Sequence, residues 1–250
     1  MRAGGRAKLV VTSPPYGVGK SYEKKGIEQW HKTVSAAIKN ICAVTEVVVW
    51  NIVDLYSTGS QFIEPTFAYS IGMFAKYGMR PIWIRIWLKQ GMNFGVRPYH
   101  LVSNKPVQQY EYVAAFGGDG CAIPDDQEEI PDMTSYEWIL AFSGSKYRFV
   151  KRLSKSDRRE WGYAGVWRMN TIRANNEHPA MFPVMLASRA IKMHSDEGDV
   201  VLDPFIGSGT TMIACENLGR QCRALEISPA YCAVALERME NAFGIVGERV

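Results

Sequence analysis

Two short stretches of this 250-residue chain carry residue types that could do chemistry. The first is Val11-Thr12-Ser13-Pro14-Pro15-Tyr16. Two prolines freeze the backbone and remove two N–H donors, which leaves carbonyls free to face a ligand. A hydroxyl just before them and an aromatic ring just after complete a small site, with acceptors in one plane and a ring face above. Such a site suits a planar heterocycle carrying an exocyclic amine. Taken alone, Ser-Pro-Pro-Tyr reads equally well as a plain turn.

The second stretch is Val200-Val201-Leu202-Asp203-Pro204-Phe205-Ile206-Gly207-Ser208-Gly209-Thr210-Thr211. Here a strand runs into a tight glycine turn that opens a helix, and an acid, Glu226, closes the next strand 17 residues after Gly209. This is the logic of a nucleotide-binding crevice: glycines let backbone approach the ligand, and the acid accepts hydrogen bonds from two ribose hydroxyls. The spacing departs from G-x-G-x-x-G and no Walker lysine follows, which disfavours NAD and ATP. The plainer alternative is an ordinary strand-to-helix turn with two structural glycines.

The surrounding elements place both stretches at strand ends. Lys8–Thr12 is a β-branched run that stops at Ser-Pro-Pro. Ile27, Trp30, Val34, Ala37, Ile38 and Ile41 recur at helical spacing, predicting a helix to Val44. Glu46–Val53, with three consecutive valines, reads as a strand buried on both faces. A helix over Phe62–Tyr77 and a strand over Pro81–Leu88 follow. From Phe182 the rhythm returns: helix 184–194, strand 199–202, the glycine turn, helix 210–218, strand 223–226 and helix 229–242. This is an α/β pattern. Residues 91–176 are rich in Gly, Asn, Pro and aromatics, and contain two similar segments, 110–116 and 136–142, that read as strands.

Composition sets further bounds. The chain is 47% apolar and 22% charged, globular in character, and long enough for a core without disulfides. No apolar run approaches the ~18 residues of a membrane helix, and Met1–Lys8 has no secretory h-region. A soluble, cytoplasmic protein is expected, prokaryotic or phage-encoded. The five cysteines include no C-x-x-C pair, which argues against both a disulfide framework and a zinc site, and no metal is expected. The net charge of +4 conceals a polar middle. Residues 117–145 hold seven acids and no Lys or Arg, and the next fifteen hold seven bases against Asp157 and Glu160.

Together the two stretches resemble the amino-directed DNA methyltransferases that use S-adenosylmethionine. Thr-Ser-Pro-Pro-Tyr after an aliphatic residue is similar to the catalytic motif of the cytosine-N4 branch, whereas adenine-N6 enzymes more often show Asp or Asn before Pro-Pro-Tyr. Leu-Asp-Pro-Phe-Ile-Gly-Ser-Gly-Thr-Thr is similar to the cofactor motif, and His178-Pro179-Ala180-Met181-Phe182-Pro183 to the segment preceding it. The order, catalytic motif first and cofactor motif last, matches the permuted β group. Residues 8–90 and 170–242 carry the resemblance strongly, and the middle only loosely. Family members often have a further strand before the catalytic one, with an acid reaching the cofactor's adenine. Only Met1–Ala7 precede it here.

The resemblance implies a doubly wound, Rossmann-like, seven-stranded α/β sheet with circularly permuted motif order and an irregular β-rich insertion. Residues 1–90 would form the catalytic-motif half, 91–176 the insertion for target recognition, and 177–250 the cofactor-binding half. Ser13, Pro14, Pro15 and Tyr16 would act on a flipped base. Asp203, Phe205, Gly207, Ser208, Gly209 and Thr210 would line the methionine side of S-adenosylmethionine, and Glu226 would hold the ribose. Phe182 would serve as an apolar wall or as a hydrophobic staple for the following helix. Lys146, Arg148, Lys151, Arg152, Arg158 and Arg159 would grip phosphates of double-stranded DNA, the alternative being a solvated helix face. Trp83, Trp87, Trp138, Trp161 and Trp167 read mostly as core, with Trp161 and Trp167 placed to touch DNA. The small insertion suggests a homodimer or a partner subunit. The rival readings are an adenine-N6 enzyme of the same fold and a non-catalytic DNA-binding subunit of a methyltransferase complex.

Overall fold

The computed structural model describes residues 6–15, 27–52, 55–56, 63–64, 66–90, 136–144, 153–162, 166–170 and 181–248. In chain order the elements are β1 (Ala7–Thr12), α1 (Ile27–Val44), β2 (Thr45–Ile52), β3 (Leu55–Tyr56), β4 (Ile63–Glu64), α2 (Thr66–Lys76), β5 (Met79–Gln90) and β6 (Tyr136–Gly144). A short helical turn over 155–162 leads to β7 (Val166–Asn170). Then come α3 (Val184–His194), β8 (Val200–Asp203), α4 (Thr210–Asn217), β9 (Gln221–Ala224) and α5 (Pro229–Phe243). Seven strands form one sheet in the order β7-β5-β6-β2-β1-β8-β9, and β3 pairs with β4 apart from it. β6 runs antiparallel to both β2 and β5, while β1 is parallel to β2 and to β8.

The sheet is covered on both faces, which explains its unbroken apolar strands. Alternate residues of β1 and β2 point opposite ways. Val10, Val48, Trp50 and Ile52 meet Trp30, Val34, Ile38 and Ile41 of α1 and Phe67 and Phe74 of α2. Leu9, Val11, Val47 and Val49 join the second core, with Leu186, Ala187, Ala190 and Ile191 of α3 and Ala214 of α4. The helical spacing in 27–44 therefore marks a real buried stripe, and the triple valine a strand with no solvent face. Phe74 stacks on Phe142 of β6 with ring centroids 4.0 Å apart and meets Trp50 edge-on at 5.4 Å.

The fold class is as expected, a doubly wound seven-stranded α/β sheet. Two expectations need correction. The supposed insertion 91–176 is not separate from the sheet, because 136–144 and 166–170 supply β6 and β7. β6 even lies between β2 and β5, hydrogen-bonded from Val47 to Ile52. Composition reports irregular chain, but it does not report which sheet a strand joins. The companion segment 110–116 lies outside the described residues, as does the acidic run before residue 136. Trp161 and Trp167 are not placed to touch DNA: they are 5% and 1% exposed and belong to the second core. The Arg189 guanidinium lies 5.3 and 5.4 Å from their ring centroids, so the cation seen nearby in sequence space is replaced by one from α3.

Phe74→Ala should remove a fully buried ring and both of its aromatic contacts. We expect a loss of about 3–5 kcal/mol in urea unfolding, with the m-value unchanged.

Candidate active site

β1 and β8 lie side by side, with Leu9 opposite Val201 and Val10 opposite Leu202. The chain leaves β1 toward α1 on one face of the sheet and leaves β8 toward α4 on the other. Such a topological switch opens a crevice at the carboxyl ends of the strands. The Ser-Pro-Pro stretch and the glycine turn, some 190 residues apart in sequence, emerge together at this crevice.

A buried carboxylate joins them. Asp203 Oδ1 accepts the Thr12 hydroxyl at 2.6 Å, and Oδ2 accepts the Thr211 hydroxyl at 2.6 Å. The Phe205 N–H adds a third bond at 3.0 Å. Asp203 is 1% exposed and ties β1, the turn and α4 together. Burial pushes its carboxyl up to about 6, against the opposing pull of these three donors.

The glycine turn is shaped from both sides. Gly207 and Gly209 have φ of +52° and +87°, the left-handed region that favours glycine. A Cβ on Gly207 would meet nothing within 4 Å, an open space above the turn. A Cβ on Gly209 would come within 3.0 Å of Ala235 Cβ, because α5 packs against the turn. Glu226 accepts the Gly207 N–H at 2.8 Å on Oε2 and the Ser228 N–H at 2.9 Å on Oε1. Each oxygen keeps acceptor capacity for a further donor. α4 starts at Thr210, directly after the turn, so its first N–H groups and positive dipole end adjoin the glycine turn.

The expected cofactor residues are thus gathered, with a division of labour that residue type did not reveal. Ser208 and Thr210 are buried, and the Ser208 hydroxyl turns inward onto Met181 Sδ at 2.7 Å. Phe205 is half-buried against the first core, and Phe182 is half-buried against the second, at the start of α3. On the other side of the crevice Ser13 and Pro15 are half-buried and Pro14 is buried. Trp30, on α1, donates its ring N–H to the Pro15 carbonyl at 2.8 Å. Tyr16 lies outside the described residues, as do His178, Lys146, Arg148, Lys151 and Arg152. The side chain of Arg158 does too, while Arg159 is exposed. Asp157 and Glu160 of the same run face Lys192 and Arg189 of α3 at 3.8 Å.

Three residues escaped sequence reasoning. Trp30 fits the apolar stripe of α1, so nothing set it apart from core. Arg238 sits among alternating polar residues of α5. Ile227 follows Glu226 and is 87% exposed, an apolar side chain left bare beside the carboxylate; its position next to a predicted ribose ligand was the available signal.

The family model described as DNA methylase (N6_N4_Mtase) matches residues 7–237. The chain belongs to this DNA methylase family. The Type II methyltransferase M.BglI of Bacillus subtilis is 36% identical over 159 residues, 64% of this chain and 38% of that one. The chain thus spans well under half of that relative's length. The Type II methyltransferase M.SmaI of Serratia marcescens is 27% identical over 263 residues, covering 92% of this chain and 83% of that one. A Thermus thermophilus protein described as a DNA modification methylase, solved with S-adenosyl-L-methionine, superposes with a TM-score of 0.66 at 25% identity. That match covers 99% of this chain and 94% of the other. The cytosine-N4-specific PvuII DNA methyltransferase gives a TM-score of 0.67 at 17% identity over 98% of this chain and 83% of its own, a likeness of fold.

The Asp203 carboxyl should leave a signature in the pH dependence of stability. Its value in the fold, about 6, lies above the ordinary aspartate value of 3.8. Folding therefore favours the protonated form, and this group's contribution is full below about pH 4 and lost as pH rises through about 6. Relative to Asp203→Asn, the wild-type chain should lose on the order of 3 kcal/mol across that interval and nothing more above it. Denaturant midpoints measured between pH 4 and 8 check this, and parallel curves would refute it.

Proposed function

We propose that this chain transfers a methyl group from S-adenosylmethionine to the exocyclic N4 of cytosine in DNA, on a base rotated out of the duplex. The observation that carries the reading is the Thr12–Asp203 hydrogen bond, which holds the amine-directed stretch and the cofactor turn side by side.

The residues present fit that cofactor. Glu226 is fixed by two backbone N–H donors, and its remaining lone pairs would accept from two ribose hydroxyls. Ile227 offers an apolar surface where an adenine next to that ribose would lie. Open space over Gly207 and the N-terminal end of α4 suit the methionine part, whose carboxylate the helix dipole favours. When bound, S-adenosylmethionine supplies a methyl group already activated on a sulfonium.

The amine needs more help than the methyl. Its lone pair is delocalised into the ring, and acceptors on its two N–H bonds draw it toward tetrahedral geometry. Ser13 Oγ and the Pro14 carbonyl would accept those bonds. The Pro15 carbonyl is already taken by Trp30. Tyr16 would stack on the extruded base. Holding amine and methyl in line then provides much of the acceleration. Serine before Pro-Pro-Tyr supports cytosine over adenine. The basic run 146–159, with Arg159 exposed, would supply the phosphate grip.

Nucleoside mass spectrometry on unmethylated DNA incubated with the chain and S-adenosylmethionine should give N4-methylcytosine, reduced roughly a hundredfold in Ser13→Ala. N6-methyladenine instead would overturn the base assignment, and no methylated nucleoside would overturn the activity. Trp30→Phe keeps an aromatic ring but removes the bond to Pro15. It should lower kcat about tenfold, the weight of one hydrogen bond, with cofactor Kd unchanged.

A further inference from the structure

Arg238 is a half-buried cation on α5 that faces no carboxylate within ion-pair distance among the described residues. Its Nη1 donates to the Ser208 carbonyl at 2.6 Å and to the Ser208 hydroxyl at 2.9 Å. Thr210 Oγ1 lies at 3.5 Å and Met181 Sδ at 3.9 Å. Every one of these partners is neutral, and all belong to the two segments that flank the cofactor crevice: the glycine turn and the chain entering α3. Burial lowers the guanidinium's pKa, a cost accepted without a compensating anion.

The geometry around Arg238 explains why a cation sits there. Ser208 lies between two left-handed glycines, and among the described residues its carbonyl accepts no backbone N–H. Arg238 supplies the donor that this carbonyl lacks. One helical turn earlier on the same face, Ala235 touches the place where a Gly209 Cβ would be. α5 thus grips the turn at two consecutive points, a close backbone approach at Gly209 and a charge-assisted hydrogen bond at Ser208. Glu226 holds the other end of the turn through Gly207.

Building on the cofactor reading above, we infer that Arg238 is a positioning residue for S-adenosylmethionine. It acts through Ser208 to hold the glycine turn in the shape the cofactor needs, so that binding does not have to order the turn. Its loss weakens cofactor binding and leaves the transfer step, governed by the Ser13-Pro14 side, nearly intact.

The test is calorimetric binding of S-adenosylmethionine and of its demethylated product, S-adenosylhomocysteine, to the full chain and to Arg238→Gln and Arg238→Lys. Thermal melting, DNA affinity and kcat at saturating cofactor are measured alongside. Arg238→Gln should raise both cofactor Kd values roughly ten- to hundredfold, the range for a lost hydrogen bond to a charged group. Its kcat and DNA affinity should stay within about twofold, and Arg238→Lys should recover most of the cofactor affinity. Unchanged cofactor binding in Arg238→Gln would overturn the inference. So would a parallel fall in cofactor binding, kcat and DNA affinity, which marks general support of the fold. A wild-type chain that binds neither compound would overturn the cofactor reading itself.

Discussion

Asp203 ends β8 with its carboxylate sealed from water, accepting hydroxyls from Thr12 of β1 and Thr211 of α4 at 2.6 Å each. A buried carboxylate is costly unless its lone pairs are met, and here three donors meet them. The interaction matters because of what it closes. β1 and β8 are separated by nearly the whole chain, and between them only two residue pairs are in register. The ladder alone leaves the strand ends loosely fixed relative to one another. The Thr12–Asp203 bond fixes them at the point where both chains leave the sheet. A buried side chain therefore sets how the two strand ends sit side by side.

Rigidity then spreads outward through single bonds to backbone atoms. Pro14 and Pro15 cannot donate, so the Ser-Pro-Pro stretch has few ways to anchor itself, and Trp30 of α1 supplies one by donating to the Pro15 carbonyl. The glycine turn has excess conformational freedom, and Glu226 and Arg238 remove it from opposite ends. In both places a side chain from a neighbouring helix or loop satisfies a backbone group that regular structure leaves over. Preorganisation here is the sum of such satisfied leftovers, and it is a fitting arrangement for chemistry that depends on alignment.

Much of this was legible in the sequence, for a physical reason. Buried strands and amphipathic helices declare themselves through burial, which acts residue by residue; hence Val47–Val49 and the stripe from Trp30 to Ile41 read correctly. Both motifs were legible because each is local. What stayed hidden depends on contacts between distant positions. The type of Asp203 suggested a cofactor residue, but its bond to Thr12, 191 residues away, left no trace in the sequence. β7 was missed although Trp167 and Met169 are buried and Arg168 and Asn170 exposed, an alternation too short to separate from the irregular chain around it. The basic run suggested a single face. Yet its own acids, Asp157 and Glu160, turn toward Lys192 and Arg189 of α3, which sorts the run into an inner and an outer side.

The same sorting bears on where proton chemistry can occur. His194 ends α3 inside the core, accepts the Trp83 ring N–H at 3.0 Å, and is lowered by burial to about 3. It stays neutral across the physiological range and is committed to packing, stacked on Trp83. Asp203 has both oxygens occupied. Glu226 is held by the backbone N–H groups of Gly207 and Ser228, with acceptor capacity left on each oxygen. The described residues of the crevice are thus arranged to accept and align hydrogen bonds rather than to abstract protons. An amine made more nucleophilic by its acceptors, held before an activated methyl, asks for that arrangement, and this is why two strand ends and one buried carboxylate suffice to build it.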